Sequence, residues 1–398
     1  MVYLHVPFCR SFCTYCDFYS VIACRGRDAQ LFEDFTAAVC AEASLRRDEI
    51  EATRDLNTIY IGGGTPSVLS PIHFKQILAG LTGDSPWAEF TVEVNPEDIV
   101  EQGPDYVRAL LDLGVTRVSM GVQSLDDGIL RWMNRRHDAA RARQAFRILR
   151  DAGVKNISVD LIFGLSQLSE ATLTETLREI VAWRPEHVSA YQLSIEEGSA
   201  LGKLVREGRY EEASQEQCAA QYRLLCDGLR AAGYGHYEIS NWALPGFEAV
   251  HNSAYWTRHP YVGLGPGAHS FDGKVRSWNK AKLPEQRQLA PENVLLRRTL
   301  PTDCVSGPLP LTKPRVATVF GGNCRMLEGE ELLSEEEARE EEVMLGLRTA
   351  RGVAEGLLEA DKAAAMLSDG RLERLSGGNI RIPENHWFVS DDIIADLL

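Results

Sequence analysis

The chain has 398 residues, of which 44% are hydrophobic, 8% aromatic and 25% charged. These are ordinary globular values and exclude a disordered, collagen-like or coiled-coil chain; the length suits roughly two to three domains, or one α/β barrel with an appendage. A net charge of −15 argues against a mainly electrostatic binder of nucleic acid or anionic membrane, and no run of about 18 apolar residues offers a membrane span. Residues 1–7 lack a basic region and a long apolar core, so no secretory signal is expected and the chain is expected in the cytoplasm.

Over the first 270 or so residues, β-branched runs alternate with amphipathic stretches. Strands are expected at 2–6, 56–61, 90–95, 117–122, 156–163, 188–193 and 236–240. Helices are expected at 29–50, 71–81, 105–113, 139–152, 170–182 and 214–232, with Gly114, Gly153 and Gly233 each just past a helix end. Strands read as apolar on both faces imply a parallel sheet. Polar and glycine residues gather where these strands end: 9–16 after the first, 62–65 after the second, Glu93 and Asn95 at the third, then Gln123, Asp160, Gln192 and Ser194. Sites in α/β barrels are built on that rim, although open doubly wound sheets also bind ligands at strand ends.

Beyond about residue 280 the character changes. Six of the 17 prolines lie between Pro284 and Pro314, and the stretch 280–327 carries eight basic residues against three acidic ones. It reads as a proline-rich basic insertion, a disordered linker or a frameshifted stretch. An acidic run over 328–342 then leads into a small helical domain with a short hairpin, similar to a winged helix but acidic overall. The expected organisation is a core over 1–280, an insertion over 281–330 and a C-terminal helical domain over 331–398.

Six of the nine cysteines show no paired spacing, whereas Cys9, Cys13 and Cys16 form a C-x3-C-x2-C loop after a strand. In a reducing compartment such a cluster points to metal or redox chemistry rather than a disulfide framework. Three thiolates can hold three corners of a [4Fe–4S] cube and leave one iron open; a zinc knuckle would need a fourth ligand, and the nearest candidate, His5, sits on the strand.

This spacing, with Tyr15 just before the third cysteine, resembles the radical S-adenosylmethionine (SAM) superfamily. The resemblance implies a partial (β/α)6 TIM-like barrel and SAM chelating the open iron, from which a reduced cluster makes a 5′-deoxyadenosyl radical. Gly62-Gly63-Gly64-Thr65 resembles the superfamily's motif for the methionine amino group. Further segments in the expected order, 3–9, 93–97, 121–124 and 160–165, narrow the match to the oxygen-independent coproporphyrinogen III oxidases and the HemW heme chaperones. By matching positions, Tyr3, Tyr15, Gly62, Gly63, Gly64, Thr65, Glu93, Gln123, Arg135, Asp160 and Ser194 are implied to surround SAM. Asp160 and Glu93 could accept ribose hydroxyls, and Arg135 could pair a carboxylate.

Three features favour the chaperones. The oxidases resemble C-x3-C-x2-C-x-C, and Phe18 stands where their fourth cysteine would be; they also carry an extension before the loop, whereas eight residues precede Cys9 here. Third, His251-Asn252-Ser253-Ala254-Tyr255 resembles the chaperones' H-N-x-x-Y motif, within a longer match over 236–271. The resemblance therefore implies heme bound through His251, Asn252 and Tyr255, delivered to acceptor apoproteins such as respiratory cytochromes, with an electron donor for the cluster. His269 is a second heme candidate, His5 could face cluster or substrate, and Trp242, Trp256 and Trp278 are expected to pack. The alternative is an enzyme of the coproporphyrinogen dehydrogenase type, decarboxylating propionates to vinyl groups.

Overall fold

The computed structural model describes residues 1–24, 26, 28–81, 86–282 and 327–398. Val2–Val6 (β1), Thr58–Gly63 (β2), Glu89–Val94 (β3), Arg117–Gln123 (β4), Ile157–Phe163 (β5) and His187–Gln192 (β6) pair in parallel and in chain order. Between and after them run Ala29–Leu45 (α1), Pro71–Leu81 (α2), Pro96–Asp112 (α3), Ala139–Asp151 (α4), Glu170–Trp183 (α5) and Gln215–Ala231 (α6). Parallel neighbours in chain order with a helix in each crossover give the partial (β/α)6 barrel.

The strands are not apolar on both faces. Val118, Met120 and Val122, and likewise Ile157, Val159 and Leu161, are buried against the helices. The alternate positions Arg117, Ser119 and Gly121, Asp160, and His187, Ser189 and Tyr191 line a cavity inside the barrel. The period-2 alternation of a strand thus separates an apolar wall from a polar lumen, where a closed barrel would pack branched side chains.

Helix ends follow local chemistry. Asp138 and Ser169 cap α4 and α5 by accepting the Arg141 and Thr172 amides at 2.8 and 3.1 Å. α3 is two helical pieces meeting at a kink at Gly103 (φ 71°, ψ −172°): the expected helix at 105–113 is the second, and the first, starting at Pro96, was not expected. The expected helix at 29–50 divides at Arg46 into Ala29–Leu45 and Arg47–Ala52.

The run at 236–240 forms no further parallel strand. Gly235–Glu238 (β7) and Asn241–Ala243 (β8) make an antiparallel hairpin on β6, and Val262–Leu264 (β9) covers the opposite edge beside β1. His269–Phe271 (β10), Val275–Asn279 (β11) and Leu327–Leu332 (β12) form a second, antiparallel sheet. The first part of the acidic run is therefore a strand, while 283–326, the bulk of the expected insertion, lies outside the described residues.

After β12, Glu335–Gly346 (α8), Ala360–Asp369 (α9) and Ser390–Leu397 (α10) surround a small sheet of Val353–Ala354, Glu373–Arg374 and Asn379–Arg381. Leu347, Ile380, Ile382 and Trp387 fill its core. No helix among the described residues is long and apolar enough to cross a membrane.

Candidate cluster and cofactor site

The cysteine loop leaves β1 and is anchored along its length. Phe8–Cys9 pairs in parallel with Val21–Ile22, and the Phe8 ring meets Phe32 and Phe35 edge-on at 4.9 and 5.1 Å. The Thr14 hydroxyl donates to the Trp132 carbonyl at 2.9 Å, and Asn134 Nδ2 donates to the Phe12 carbonyl at 2.7 Å. Arg10 pairs with Glu101 and, at 3.5 Å, with Asp98 on α3. These anchors bring Cys9, Cys13 and Cys16 to the wall of a cavity of about 530 Å³. Burial raises the Cys16 thiol to about 11, and the neighbouring Cys13 and Cys9 add to the rise. Burial also raises Cys9, with Thr65 working against it. Metal binding here must displace protons from those thiols.

A chain of side chains links two of the thiols. The Thr65 hydroxyl approaches Cys9 Sγ at 3.5 Å and accepts from Asn95 Nδ2 at 3.1 Å. Arg135 Nη2 donates to Asn95 Oδ1 at 2.6 Å and to the Gly121 carbonyl at 2.8 Å, while Nη1 approaches Cys13 Sγ at 3.5 Å. Gln123 stands at φ 65°, where β4 and β5 slip register, so a local bulge sets the direction of its side chain.

The glycine run leaves room only for backbone. A Cβ at Gly63 (φ 106°) would lie 2.6 Å from the His5 ring, and one at Gly64 would lie 2.8 Å from the Phe8 carbonyl. Glu93 accepts the Tyr60 hydroxyl at 2.6 Å and the Gly63 amide at 3.1 Å; burial raises its carboxyl to about 7. Burial also raises Asp160, opposed first by the Arg117 charge; Ser119 donates to both of its oxygens at 3.1 Å. Tyr3, Tyr15 and Ser194 line the same cavity, whereas Gly62 lies behind it, against Tyr60 and Glu93.

His251, Asn252 and Tyr255 line the cavity too, from its other end. Their helix, Val250–Trp256 (α7), sits beneath the first residues of β2 and β3, where Glu89 accepts the Val250 and His251 amides at 2.8 and 2.9 Å. His251 is 1% exposed; its Nδ1 meets Thr58 Oγ1 at 2.9 Å and its Nε2 meets the Tyr255 hydroxyl at 3.1 Å. Burial lowers its pKa to about 3, so the ring is neutral. Both ring nitrogens meet hydroxyl groups, so His251 is fixed at the lumen floor beside Asn252 and Tyr255. Asn252 Nδ2 reaches Glu238 at 3.2 Å.

Residues 3–180 match the radical SAM superfamily. The chain is 32% identical over 405 residues to the heme chaperone HemW of Mycobacterium tuberculosis, covering 100% of this chain and 94% of that one. It is 34% identical over 292 residues to HemW of Escherichia coli, covering 71% and 74%. The chain belongs to the HemW heme chaperone family.

The structure of coproporphyrinogen III oxidase (HemN) from Escherichia coli shares the HemW-family fold seen here, with a TM-score of 0.74 at 19% identity over 99% of this chain and 89% of that one. Superfamily membership implies a [4Fe–4S] cluster and SAM. The site fits both: three soft thiols on one wall, a glycine cradle too tight for any Cβ, and a guanidinium beside Cys13. Several lumen residues of this HemW-family chain went unread in the sequence, among them Tyr60, Arg117, His187 and Tyr191. Their signal was the alternation along β2, β4 and β6, which shows only once both faces of each strand are compared.

Proposed function

We propose that the chain binds heme and hands it to acceptor apoproteins, with a [4Fe–4S] cluster held by Cys9, Cys13 and Cys16 and SAM seated beside it. The observation that carries this reading is the similarity to HemW chaperones over the whole chain, joined to Phe18 at the position of the oxidases' fourth cysteine. Bound there, cluster and SAM supply one-electron redox chemistry. The chain's own residues orient them: Gly63 and Gly64 admit the ligand to the backbone, Glu93 and Asp160 offer acceptors to hydroxyls, and Arg135 balances negative charge at Cys13. The seven described cysteines are all free, in keeping with a reducing cytoplasm. The partners are heme, apoproteins such as respiratory cytochromes, and an electron donor.

The test is anaerobic reconstitution with iron and sulfide, heme titration followed by absorbance, and transfer to an apo-globin as a probe acceptor. A coproporphyrinogen III assay with SAM and reductant runs beside it. Stoichiometric heme binding and transfer without porphyrinogen loss are expected. Turnover to protoporphyrinogen would replace this reading with the oxidase.

A further inference from the structure

Arg117, at the start of β4, is 3% exposed and is the only buried arginine or lysine among the described residues. Arg10, Arg46, Arg150 and Arg258, all partly exposed, hold the carboxylates of Asp98, Glu42, Glu186 and Glu341 at 2.8 to 3.5 Å. The Arg117 guanidinium, by contrast, forms no hydrogen bond and no ion pair among the described residues, and its Nε is buried without a partner. It nevertheless lines the lumen of the barrel. A guanidinium keeps its proton, so burial without a partner is a cost that the apo fold carries.

The two carboxylates that feel its charge, Asp160 and Glu93, have other donors. Ser119 donates to both oxygens of Asp160, and the Tyr60 hydroxyl and Gly63 amide hold Glu93. The terminal nitrogens of the Arg117 fork are therefore left for a ligand, and a planar fork matches a carboxylate bidentately. Its place is the lumen floor: Gln123 ends β4 at the rim, six residues on and roughly 20 Å along the strand. On that floor His187 meets the Ser158 and Tyr237 hydroxyls, both at 2.8 Å. Burial, then the Arg117 charge, lowers the His187 pKa; the same charge, after burial and the terminal ammonium, lowers that of His251 on the H-N-x-x-Y helix. Both rings are neutral, so the charge that a carboxylate meets beside this helix is that of Arg117.

We propose that Arg117 binds a carboxylate of the porphyrin, one propionate of heme, at the lumen floor beside the H-N-x-x-Y helix. The inference rests on the heme-binding reading above and adds the group that orients the porphyrin, with a carboxylate edge turned toward the floor. Arg135 is placed to serve the carboxylate of SAM instead, since it stands at Cys13 and the Gly121 carbonyl, toward the other end of β4. Binding a propionate replaces an unpaired buried charge by a paired one, which favours heme over a macrocycle without free carboxylates.

The test titrates the cluster-loaded full chain with hemin and with hemin dimethyl ester, which keeps iron and macrocycle but has no free carboxylate, in one detergent buffer. Wild type, Arg117→Gln and Arg117→Lys are compared by Soret absorbance, with iron content and SAM affinity measured in each. A charge-assisted bond to a carboxylate is worth about 10- to 100-fold in affinity, so wild type should prefer hemin to the ester by that factor. Arg117→Gln should lose the preference by weakening hemin alone, and Arg117→Lys, a point charge without the fork, should keep part of it. Iron content and SAM affinity should stay at wild-type values. Equal binding of hemin and ester by wild type would overturn the assignment with the heme-binding reading intact, and needs no variant to fold. A preference that survives in Arg117→Gln would also overturn it, as would a loss of SAM affinity in its place, which would give the carboxylate to SAM. Absence of binding of either compound by cluster-loaded wild type would sink both readings.

Discussion

At Glu93 one carboxyl couples ligand recognition to the stability of the apo chain. Burial raises it from 4.5 to about 7, against the Tyr60 hydrogen bond, so the folded chain holds a proton there that the unfolded chain has released. A folded-state pKa above the unfolded one makes stability fall as pH rises from about 4.5 through about 7. The difference in unfolding free energy between Glu93→Gln and wild type should therefore shift by roughly 1–3 kcal/mol in favour of the variant between pH 5 and pH 8. Thermal or urea melts of the apo protein at the two pH values check this, and parallel pH profiles would contradict it. The same variant should bind SAM more weakly, since a neutral amide is a poorer acceptor for hydroxyls. Arg135 is tied to three different groups, Asn95, Gly121 and Cys13, and a lysine has no planar fork to serve them together. Arg135→Lys is expected to lower iron bound per chain on reconstitution although the positive charge is kept; iron and sulfide assays decide it.

The turn from β2 into residues 62–65 is the element on which the cluster loop rests. Gly64 N donates to the Val6 carbonyl at 2.8 Å, and a Cβ there would come within 2.8 to 2.9 Å of the Phe8 and Val6 carbonyl oxygens. Both contacts are backbone, so no side-chain rotation relieves them. Gly64→Ala should cost about 1–3 kcal/mol and push the segment carrying Cys9 off its partners. Differential melting and iron content measure the two effects, and iron incorporation equal to wild type would show that the loop tolerates the shift. Much at this scale was legible in the chain itself. β1 to β6 announce themselves through β-branched runs, and the cysteine, glycine and Glu93 segments fall at strand ends because one rim of the barrel carries the site. Other elements were hidden for physical reasons. β12 reads Leu-Glu-Gly-Glu-Glu-Leu, and its backbone pairing with β11 leaves charged side chains outside, so composition alone suggests a solvated run. The lumen-facing positions of β4 are polar because the barrel is hollow, which inverts the rule for buried strands. The place of His251 depends on Thr58 and Glu89, about 190 and 160 residues away in sequence, and no local pattern shows such contacts.

Across the whole molecule, the C-terminal part docks on the β7–β8 hairpin, which also closes the β6 edge of the barrel. The Ile239 amide donates to the Arg348 carbonyl at 3.0 Å and the Ala350 amide to the Tyr237 carbonyl at 2.9 Å, so the seam is partly a sheet edge covered by backbone. Beside it the His236 ring stacks on Trp242 at 4.1 Å and meets Trp387 edge-on at 4.3 Å, while Glu384 bonds His236 at 2.9 Å and Arg230 at 2.8 Å. Trp387 is 1% exposed and donates its indole N–H to the Ile382 carbonyl at 2.8 Å, so it supports both the small core and the seam. Trp387→Ala should cost about 3–5 kcal/mol, the range for removing a large buried aromatic. If the C-terminal part is a separately cooperative unit, that loss falls on residues 335–398, and hydrogen exchange should accelerate there and in β7 while β1 to β5 keep their protection. Uniform acceleration across the barrel would show instead that the chain unfolds as one unit. Glu384→Gln tests the polar half of the seam more gently. The His236 bond holds the Glu384 carboxyl below its usual range, so the stability it adds is present near neutral pH and is lost as pH falls through the lowered value. The variant should therefore exchange faster than wild type at pH 7, and the gap should close in acid.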